Sequence, residues 1–322
     1  MSKFVRDVLI FIGINALILG YLYAIYDIKS DYFASVNDTF DRLEQKPPPR
    51  LLFVGGSSVA WSHHSQIVQD AFPKYEVENM AYHAGLGLNL RLSEARKFSQ
   101  PGDVVVLSIE WGVFTDEPTP RVMSEASLAC PRILTLMHPR DLKVTADGML
   151  AALKMPFAAF INNAKEHGAK ALTYEIAQKR KKFRRRVNFS DMGDFTGHYT
   201  AERPGIAGKV VLLATEEQFM DGVRRINELR VELEKKNVKL IYFVPICAEQ
   251  GYTPEKEGIE RQLQLLKDHL EVPILNPDIY VYPNDDYFDS CYHMMEEAGI
   301  RRTKMLSERL REHLETEHLE GR

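Results

Sequence analysis

The sequence predicts an α/β protein built around a parallel sheet. Five short apolar runs recur along the chain, at 51–54, 75–80, 103–109, 238–245 and 272–275. Stretches with helical spacing separate them, and this alternation is typical of parallel strands joined by helices that cover both faces of the sheet. The 322 residues are 45% hydrophobic and 27% charged, which is the composition of a globular protein.

The N-terminal segment predicts one transmembrane helix. No charge occurs from Val8 to Tyr26, and a helix of this length rises about 28 Å, near the hydrocarbon thickness of a bilayer. Lys3 and Arg6 precede it, so the positive-inside rule places the short tail in the cytoplasm and the main domain outside the cytoplasm. A cleavable signal peptide and a buried core helix are the alternatives. We prefer a signal anchor over residues 1–30, located in the cell membrane.

The rest of the chain divides into a linker and a globular domain. Residues 31–49 carry alternating polar residues and lead into "KPPPR" at 46–50, which predicts a stiff Pro-rich linker over 31–49. The globular domain then covers 50–322. The strand and helix alternation breaks from about 123 to 215, and we interpret this interval as an insertion. It contains the basic run Lys179–Arg186, which suits either anionic polymer or lipid headgroups, or simply a solvated helix face.

Charge and motif content exclude several classes of function. The net charge is −4 and the pI is about 6.2, which argues against a dedicated nucleic-acid binder. Cysteine spacing contains no CxxC pair, and the His63-His64 pair has no third ligand at regular spacing. The glycine turn matches neither GxGxxG nor a phosphate-binding loop. We therefore expect no metal, no cofactor and no nucleic acid.

The first predicted strand ends on "GGSS", which contains Ser57 and Ser58. Ligands of open parallel sheets bind beyond the carboxyl ends of the strands. A serine hydroxyl becomes a nucleophile when a histidine takes its proton and a carboxylate orients that histidine. Asp289 and His293 follow the last predicted strand, at the same edge and four residues apart. Asp286 is a possible substitute for the acid, and Ser58 is either reactive or a helix cap, with Ser57 as the other candidate nucleophile.

Three sequence blocks resemble the SGNH or GDSL-like hydrolases. They are "GGSSVAW", "VENMAYHAGLGLN" and "FDSCYHMMEEAG". The likeness is to the membrane-anchored bacterial branch that includes the teichoic-acid D-alanyl transfer protein and the alginate O-acetylation proteins. The resemblance implies a three-layer, flavodoxin-like, doubly wound sheet of about five strands.

The resemblance also implies roles for individual residues. Ser58 is the implied nucleophile, His293 the base and Asp289 the orienting acid. The backbone N–H groups of Ser58 and Gly85 would hold an oxyanion.

Two more residues belong to the matching blocks, and the chain differs from the family motifs at two places. Asn79 and His83 belong to the second block, where they would line the oxyanion and substrate side. The third block of the family carries Gly-x-Asn-Asp, but this chain has Glu110 and Trp111 in that region. Its oxyanion asparagine is therefore absent. Three residues separate the acid from the base here, where the family has two.

Two functional hypotheses follow. The first is a membrane-tethered serine esterase or O-acyltransferase that acts on acylated cell-envelope or extracellular polysaccharide through a Ser-His-Asp triad. The second is a catalytically weak or inactive domain of the same fold that binds glycan or assists a multipass membrane acyltransferase. The absent asparagine favours the second, because losing one oxyanion donor costs about 10²- to 10³-fold in rate.

Overall fold

The computed structural model describes residues 3–26, 31–152, 161, 164–165, 186–206, 211–276, 278 and 281–320. The predicted basic run therefore lies outside the described residues except for Arg186, which pairs with Asp38.

The core of the structure is a four-stranded parallel sheet, which confirms the predicted α/β class. Its strands are β1 (Arg50–Gly55), β2 (Glu76–Asn79), β3 (Val104–Ser108) and β4 (Lys239–Tyr242), in the order β2-β1-β3-β4. The chain runs from β1 to β2 on one side and returns to β3 on the other. The strand order thus reverses between β1 and β3, where this class of sheet binds its ligands.

The fifth predicted strand, 272–275, is reduced to one parallel bridge between Tyr242 and Ile274. The Tyr242 N–H donates to the carbonyl of Pro273 at 2.8 Å, and the Leu275 N–H donates to the carbonyl of Tyr242 at 3.0 Å. Pro273 has no N–H and cannot extend the ladder, which explains why a full strand does not form. A separate pair of short strands, β5 (Cys247–Ala248) and β6 (Val281–Tyr282), runs parallel.

Helices surround the sheet. In the sequence, apolar residues recur at spacings of three and four near 218–236, which predicts a helix. The structure has this helix over Glu216–Glu234, and it begins with a capping box between Thr215 and Gln218. The helices are α1 (Lys3–Tyr26), α2 (Asp31–Gln45), α3 (Ser57–Ala60), α4 (Ser65–Ala71), α5 (Gly87–Phe98), α6 (Pro120–Ala129), α7 (Pro139–Ala152), α8 (Glu216–Glu234), α9 (Glu249–Tyr252), α10 (Lys256–His269) and α11 (Glu296–Glu320).

Helix α2 occupies most of the segment that the sequence analysis places in a linker. Its apolar side chains Phe33, Val36, Phe40 and Leu43 are buried at 3% exposure or less. They recur at spacings of three and four, the period of a helix face that packs on a core. The globular part of the structure therefore includes Asp31–Gln45, and the polar residues between the apolar ones concealed this face in the sequence.

Helix α1 carries exposed apolar side chains, including Phe4, Phe11 and Leu17. Within the part of the chain that the structure describes, no helix has both the length and the apolar character needed to cross a membrane. The transmembrane prediction for residues 8–26 therefore finds no support here.

Candidate active site

The turn after β1 is crowded, and this requires its two glycines. A Cβ at Gly55 would collide with the carbonyl of Ser108 and with the side chain of Val59, and a Cβ at Gly56 would collide with the carboxylate of Glu110. The ends of β1 and β3 can approach each other only because neither glycine has a side chain. Helix α3 begins directly after this turn, at Ser57.

A histidine and a carboxylate pair next to this turn. Asp289 Oδ1 lies 2.5 Å from His293 Nδ1. Because a carboxylate accepts hydrogen bonds, Nδ1 carries the proton, and Nε2 is then the nitrogen available for proton transfer. The His293 ring stacks on Trp61 with centroids 4.0 Å apart and planes 17° apart. Trp61 is the C-terminal cap of α3, so the imidazole lies against the helix that begins with the two serines.

Ser62 fixes the loop that carries the imidazole. Its hydroxyl donates to the Tyr292 carbonyl at 2.9 Å and accepts from the Met294 N–H at 3.0 Å. The two hydrogen bonds hold the residues on both sides of His293, which is more than 200 positions away in sequence. The serine in "AWSHH" carries no pattern that reveals this long-range role.

The two candidate serines differ in exposure. Ser58 is fully buried, and its hydroxyl has no hydrogen-bond partner among the described residues. It is therefore not hydrogen bonded to His293 in this state. Ser57 is half-buried and lies four positions before Trp61, so both side chains are on one face of the helical turn. Both serines therefore remain candidates for the nucleophile.

Both predicted oxyanion donors already have acceptors inside the protein. The Ser58 N–H donates to Glu110 Oε1 at 2.8 Å. The Gly85 N–H donates to His83 Nδ1 at 3.0 Å, which caps a short 3-10 turn. His83 thus acts on the backbone of its own loop. An acyl oxygen can bind to these amides only after the internal acceptors leave.

Asn79 is held in a buried hydrogen-bond network with Asp194. Its Nδ2 donates to Asp194 Oδ1 at 2.8 Å, and its Oδ1 accepts from the Ala81 N–H at 3.0 Å. Asp194 also accepts from the backbone and the hydroxyl of Ser65, both at 2.7 Å. Burial raises the pKa of Asp194 to about 6. This network ties the end of the predicted insertion to β2 and leaves Asn79 engaged away from any substrate.

The acid paired with the imidazole is Asp289, and the substitute considered from sequence is engaged elsewhere. Both carboxylate oxygens of Asp286 accept from the guanidinium of Arg301, at 2.7 and 2.8 Å. The four-residue spacing of Asp289 and His293 therefore brings the two side chains together despite its difference from the family motif.

Sequence reasoning missed His198, which lies in the returning end of the insertion. Its Nε2 donates to the Met294 carbonyl at 2.8 Å, and its ring lies 5.0 Å from Trp61. Burial lowers the pKa of His198 to about 4, so the ring is neutral at pH 7. The hydrogen bond from His198 fixes the loop of His293, in addition to the two made by Ser62. Nothing in the local sequence "FTGHYT" shows this contact, because it depends on the fold.

The histidine pair after the turn, His63 and His64, packs into the fold and is not fully solvated. His63 is fully buried and packs on Phe53 with centroids 4.1 Å apart, and burial lowers its pKa well below the usual value. His64 Nε2 lies 3.1 Å from the hydroxyl of Tyr199. Across the described ranges, no group of three or more histidine, cysteine, aspartate or glutamate residues is arranged to hold a metal ion.

Comparison with known proteins includes a structural likeness to an esterase. No family model and no curated protein match the sequence. Among solved structures the chain is similar to an acetyl xylan esterase, Est2A, from the rumen bacterium Butyrivibrio proteoclasticus, at 14% identity and a TM-score of 0.31. The match covers 84% of this chain and 65% of that esterase. A TM-score this low does not establish a common fold, so function must be argued from the geometry of the site.

Proposed function

We propose that the protein is a serine esterase or O-acyltransferase in which Ser57 or Ser58 is the nucleophile, His293 the general base and Asp289 its orienting acid. The observation that carries the proposal is the 2.5 Å contact between Asp289 Oδ1 and His293 Nδ1, made by a ring that stacks on the cap of the helix on which both serines lie. A carboxylate that orients an imidazole, with a serine placed beside that imidazole, is the arrangement that activates a hydroxyl.

The chemistry would run in two steps. The serine Oγ forms a bond to the acyl carbon, its proton moves to His293 Nε2, and the carbonyl electron pair becomes an oxyanion. When the carbonyl re-forms, the bond from the acyl carbon to the leaving oxygen breaks, and the proton on Nε2 transfers to that oxygen. Water or a sugar hydroxyl then attacks the acyl-serine and releases the acyl group in the same way.

The sequence resemblance suggests the substrate class. We propose an acyl ester on a cell-envelope or extracellular polysaccharide, with the acyl group passed to water or to a sugar hydroxyl. A multipass membrane acyltransferase is the proposed partner for the transfer reaction. An extracytoplasmic location at the membrane remains a prediction from the sequence.

Covalent labelling tests this proposal. The full-length chain is incubated with a fluorophosphonate, and the labelled peptide is mapped by mass spectrometry. We expect label on the peptide that contains Ser57 and Ser58, loss of label in one of the two single alanine variants, and a fall of about 10⁴-fold or more in His293→Ala. A matched control is Ser99→Ala, another buried serine whose hydroxyl has no partner in the described residues, and it should label like the parent.

The same experiment identifies the nucleophile. Loss of label in Ser57→Ala alone would assign the role to the half-buried hydroxyl that shares a helix face with Trp61. Loss in Ser58→Ala alone would assign it to the buried hydroxyl that the resemblance implies. An unlabelled parent, or a His293→Ala variant that labels at the parent rate, would contradict the proposal.

The engaged amides favour a second candidate function, a domain with weak or no catalysis that binds acylated glycan. Both predicted oxyanion donors have internal acceptors, and each missing donor costs about 10²- to 10³-fold in rate. Calorimetry with an acetylated and a de-acetylated oligosaccharide separates the two. Binding of the acetylated form that persists without turnover supports the binding function, whereas release of acetate supports the enzyme.

A further inference from the structure

The side chain of Glu110 occupies the anion position of the proposed site. Glu110 follows β3 and is 2% exposed. Its Oε1 accepts from the Ser58 N–H at 2.8 Å, and its carboxylate fills the space that a side chain at Gly56 would need. Its Oε2 is buried and has no hydrogen-bond partner in the described part of the chain. Burying a carboxylate oxygen without a hydrogen-bond partner costs free energy of folding. Such a group calls for an explanation, and a functional role is one.

Glu110 also lies close to the loop that carries the imidazole. Burial raises the pKa of Tyr292 well above its usual value, and the charges of Glu110 and of the nearby cysteines add to the increase. Tyr292 directly precedes His293 in sequence. The carboxylate of Glu110 thus holds the amide of the serine turn at 2.8 Å and acts electrostatically on the residue before the base.

We propose that Glu110 controls acyl transfer at this site by holding the Ser58 amide as an internal anion, which must be displaced before an acyl oxygen can bind. The inference rests on the proposed function. A tetrahedral oxyanion and a carboxylate oxygen need the same N–H donor, and two anions about 3 to 4 Å apart repel strongly in a poorly solvated site. Removing the charge of Glu110 should therefore accelerate the reaction.

The competing interpretation is that Glu110 only caps the short helix α3, where a carboxylate satisfies a backbone donor and complements the helix dipole. The two interpretations predict opposite results. If Glu110 is only a cap, its replacement weakens the turn that presents the serines, and reactivity stays the same or falls. If it is an occupant of the anion position, reactivity rises.

Three variants of the full-length chain test this in the fluorophosphonate assay. Glu110→Gln keeps the shape of the side chain, removes its charge and supplies an amide that can donate to the oxyanion. We expect its labelling rate constant to rise by about 10²-fold, the scale of one oxyanion donor. Glu110→Asp keeps the charge but is one methylene shorter, so it should release the amide and give a smaller rise. Glu117→Gln, an exposed carboxylate nearby, should label at the parent rate.

The outcomes separate this inference from the proposed function. A parent that labels through His293 and a Glu110→Gln variant that labels at the same rate or more slowly would overturn the role of Glu110 and leave the serine hydrolase intact. A parent that stays unlabelled contradicts the proposed function, and labelling of Glu110→Gln alone would then support only the blocking role of Glu110. No label in either protein, with native circular dichroism spectra, would overturn both. If Glu110→Gln fails to fold, a Glu110→Asp rate above the parent rate supports the inference, and a rate at or below it overturns the inference.

Discussion

The two edges of the parallel sheet bury their charged side chains in opposite ways. At the amino edge, where β1 and β3 begin, Arg50 and Asp103 form a fully buried ion pair at 2.6 Å. Arg50 also donates to the carbonyls of Leu43 and Phe98, at 2.7 and 2.6 Å, and Asp103 accepts from the Gln100 N–H at 2.8 Å. At the carboxyl edge, by contrast, the described structure leaves Ser58 Oγ, Glu110 Oε2 and His198 Nδ1 buried without partners.

This difference shows where the fold is stabilised and where it keeps reactive groups. Buried polar atoms are nearly always paired in folded proteins, and a buried pair that is fully hydrogen bonded mainly fixes structure. Several unpaired groups within one short region are unusual and indicate a site where another molecule completes the hydrogen bonds. We therefore expect substitutions at the amino edge to change stability and substitutions at the carboxyl edge to change reactivity.

The largest expected effect is on reactivity at the carboxyl edge. In Asp289→Asn the acceptor for His293 Nδ1 is lost or reversed, so the imidazole adopts the wrong tautomer, which costs about 10⁴-fold in triad hydrolases. We expect the fluorophosphonate rate constant to fall by this order. Asp289 is partly exposed, so urea unfolding should show a change of less than about 1 kcal/mol. A large loss of stability with an unchanged labelling rate would reverse the assignment of this edge.

The next effect is on stability at the amino edge. Asp103→Asn leaves the buried Arg50 guanidinium without its anion, and breaking such a pair costs about 3 to 5 kcal/mol. Urea unfolding monitored by circular dichroism measures the change. The labelling rate of the folded fraction should stay within about threefold of the parent. A variant as stable as the parent would show that this edge does not carry the stabilising role.

The free energy of unfolding should depend on pH through His198, which lies in the insertion and contacts the loop of His293. Burial lowers the pKa of His198 to about 4, against about 6.5 in the unfolded chain. A lowered folded pKa contributes stability that is complete above pH 6.5 and is lost as pH falls toward 4, up to about 3 kcal/mol. His198→Gln keeps a donor for the Met294 carbonyl but does not titrate. The unfolding free energy of the parent should therefore fall more than that of the variant between pH 7 and pH 4, and parallel profiles would contradict this role.

The smallest effect concerns the loop of the base. Ser62→Ala removes the hydrogen bonds to the Tyr292 carbonyl and the Met294 N–H, which should cost about 1 to 3 kcal/mol because two buried backbone groups lose their partner. The loosened loop should also lower the labelling rate by about tenfold. Ser65→Ala, which loses the hydroxyl contact to Asp194, is the control: it should destabilise the protein by a similar amount without this loss of rate.

The sheet was predictable because its signals are local. Apolar runs such as 51–54 and 103–109 are long enough to be buried strands, and the helix near 218–236 repeats its apolar residues with the period of one face. Two predictions differ from the structure at segments that contain proline. Pro273 has no N–H and limits the fifth strand to one bridge, and the apolar face of Asp31–Gln45 is interrupted by polar residues and followed by three prolines, a pattern that is also typical of a linker.

The candidate site was predictable only in part. The serine turn and the pairing of Asp289 with His293 follow from short-range spacing at two strand ends. The occupation of the Ser58 amide by Glu110 and the contacts of Ser62 and His198 depend on groups that are 52 to 232 positions apart and meet only in the folded chain. No periodicity in the sequence encodes such contacts.

A crystal structure of the full-length chain after reaction with a fluorophosphonate tests the central claim most directly. We predict phosphorus bonded to the Oγ of Ser57 or Ser58, a phosphonyl oxygen within about 3 Å of the Ser58 N–H in place of the Glu110 carboxylate, and His293 Nε2 within hydrogen-bonding reach of the adduct. Phosphorus on another residue, or His293 still stacked on Trp61 with Nε2 out of reach of the modified serine, would contradict the account.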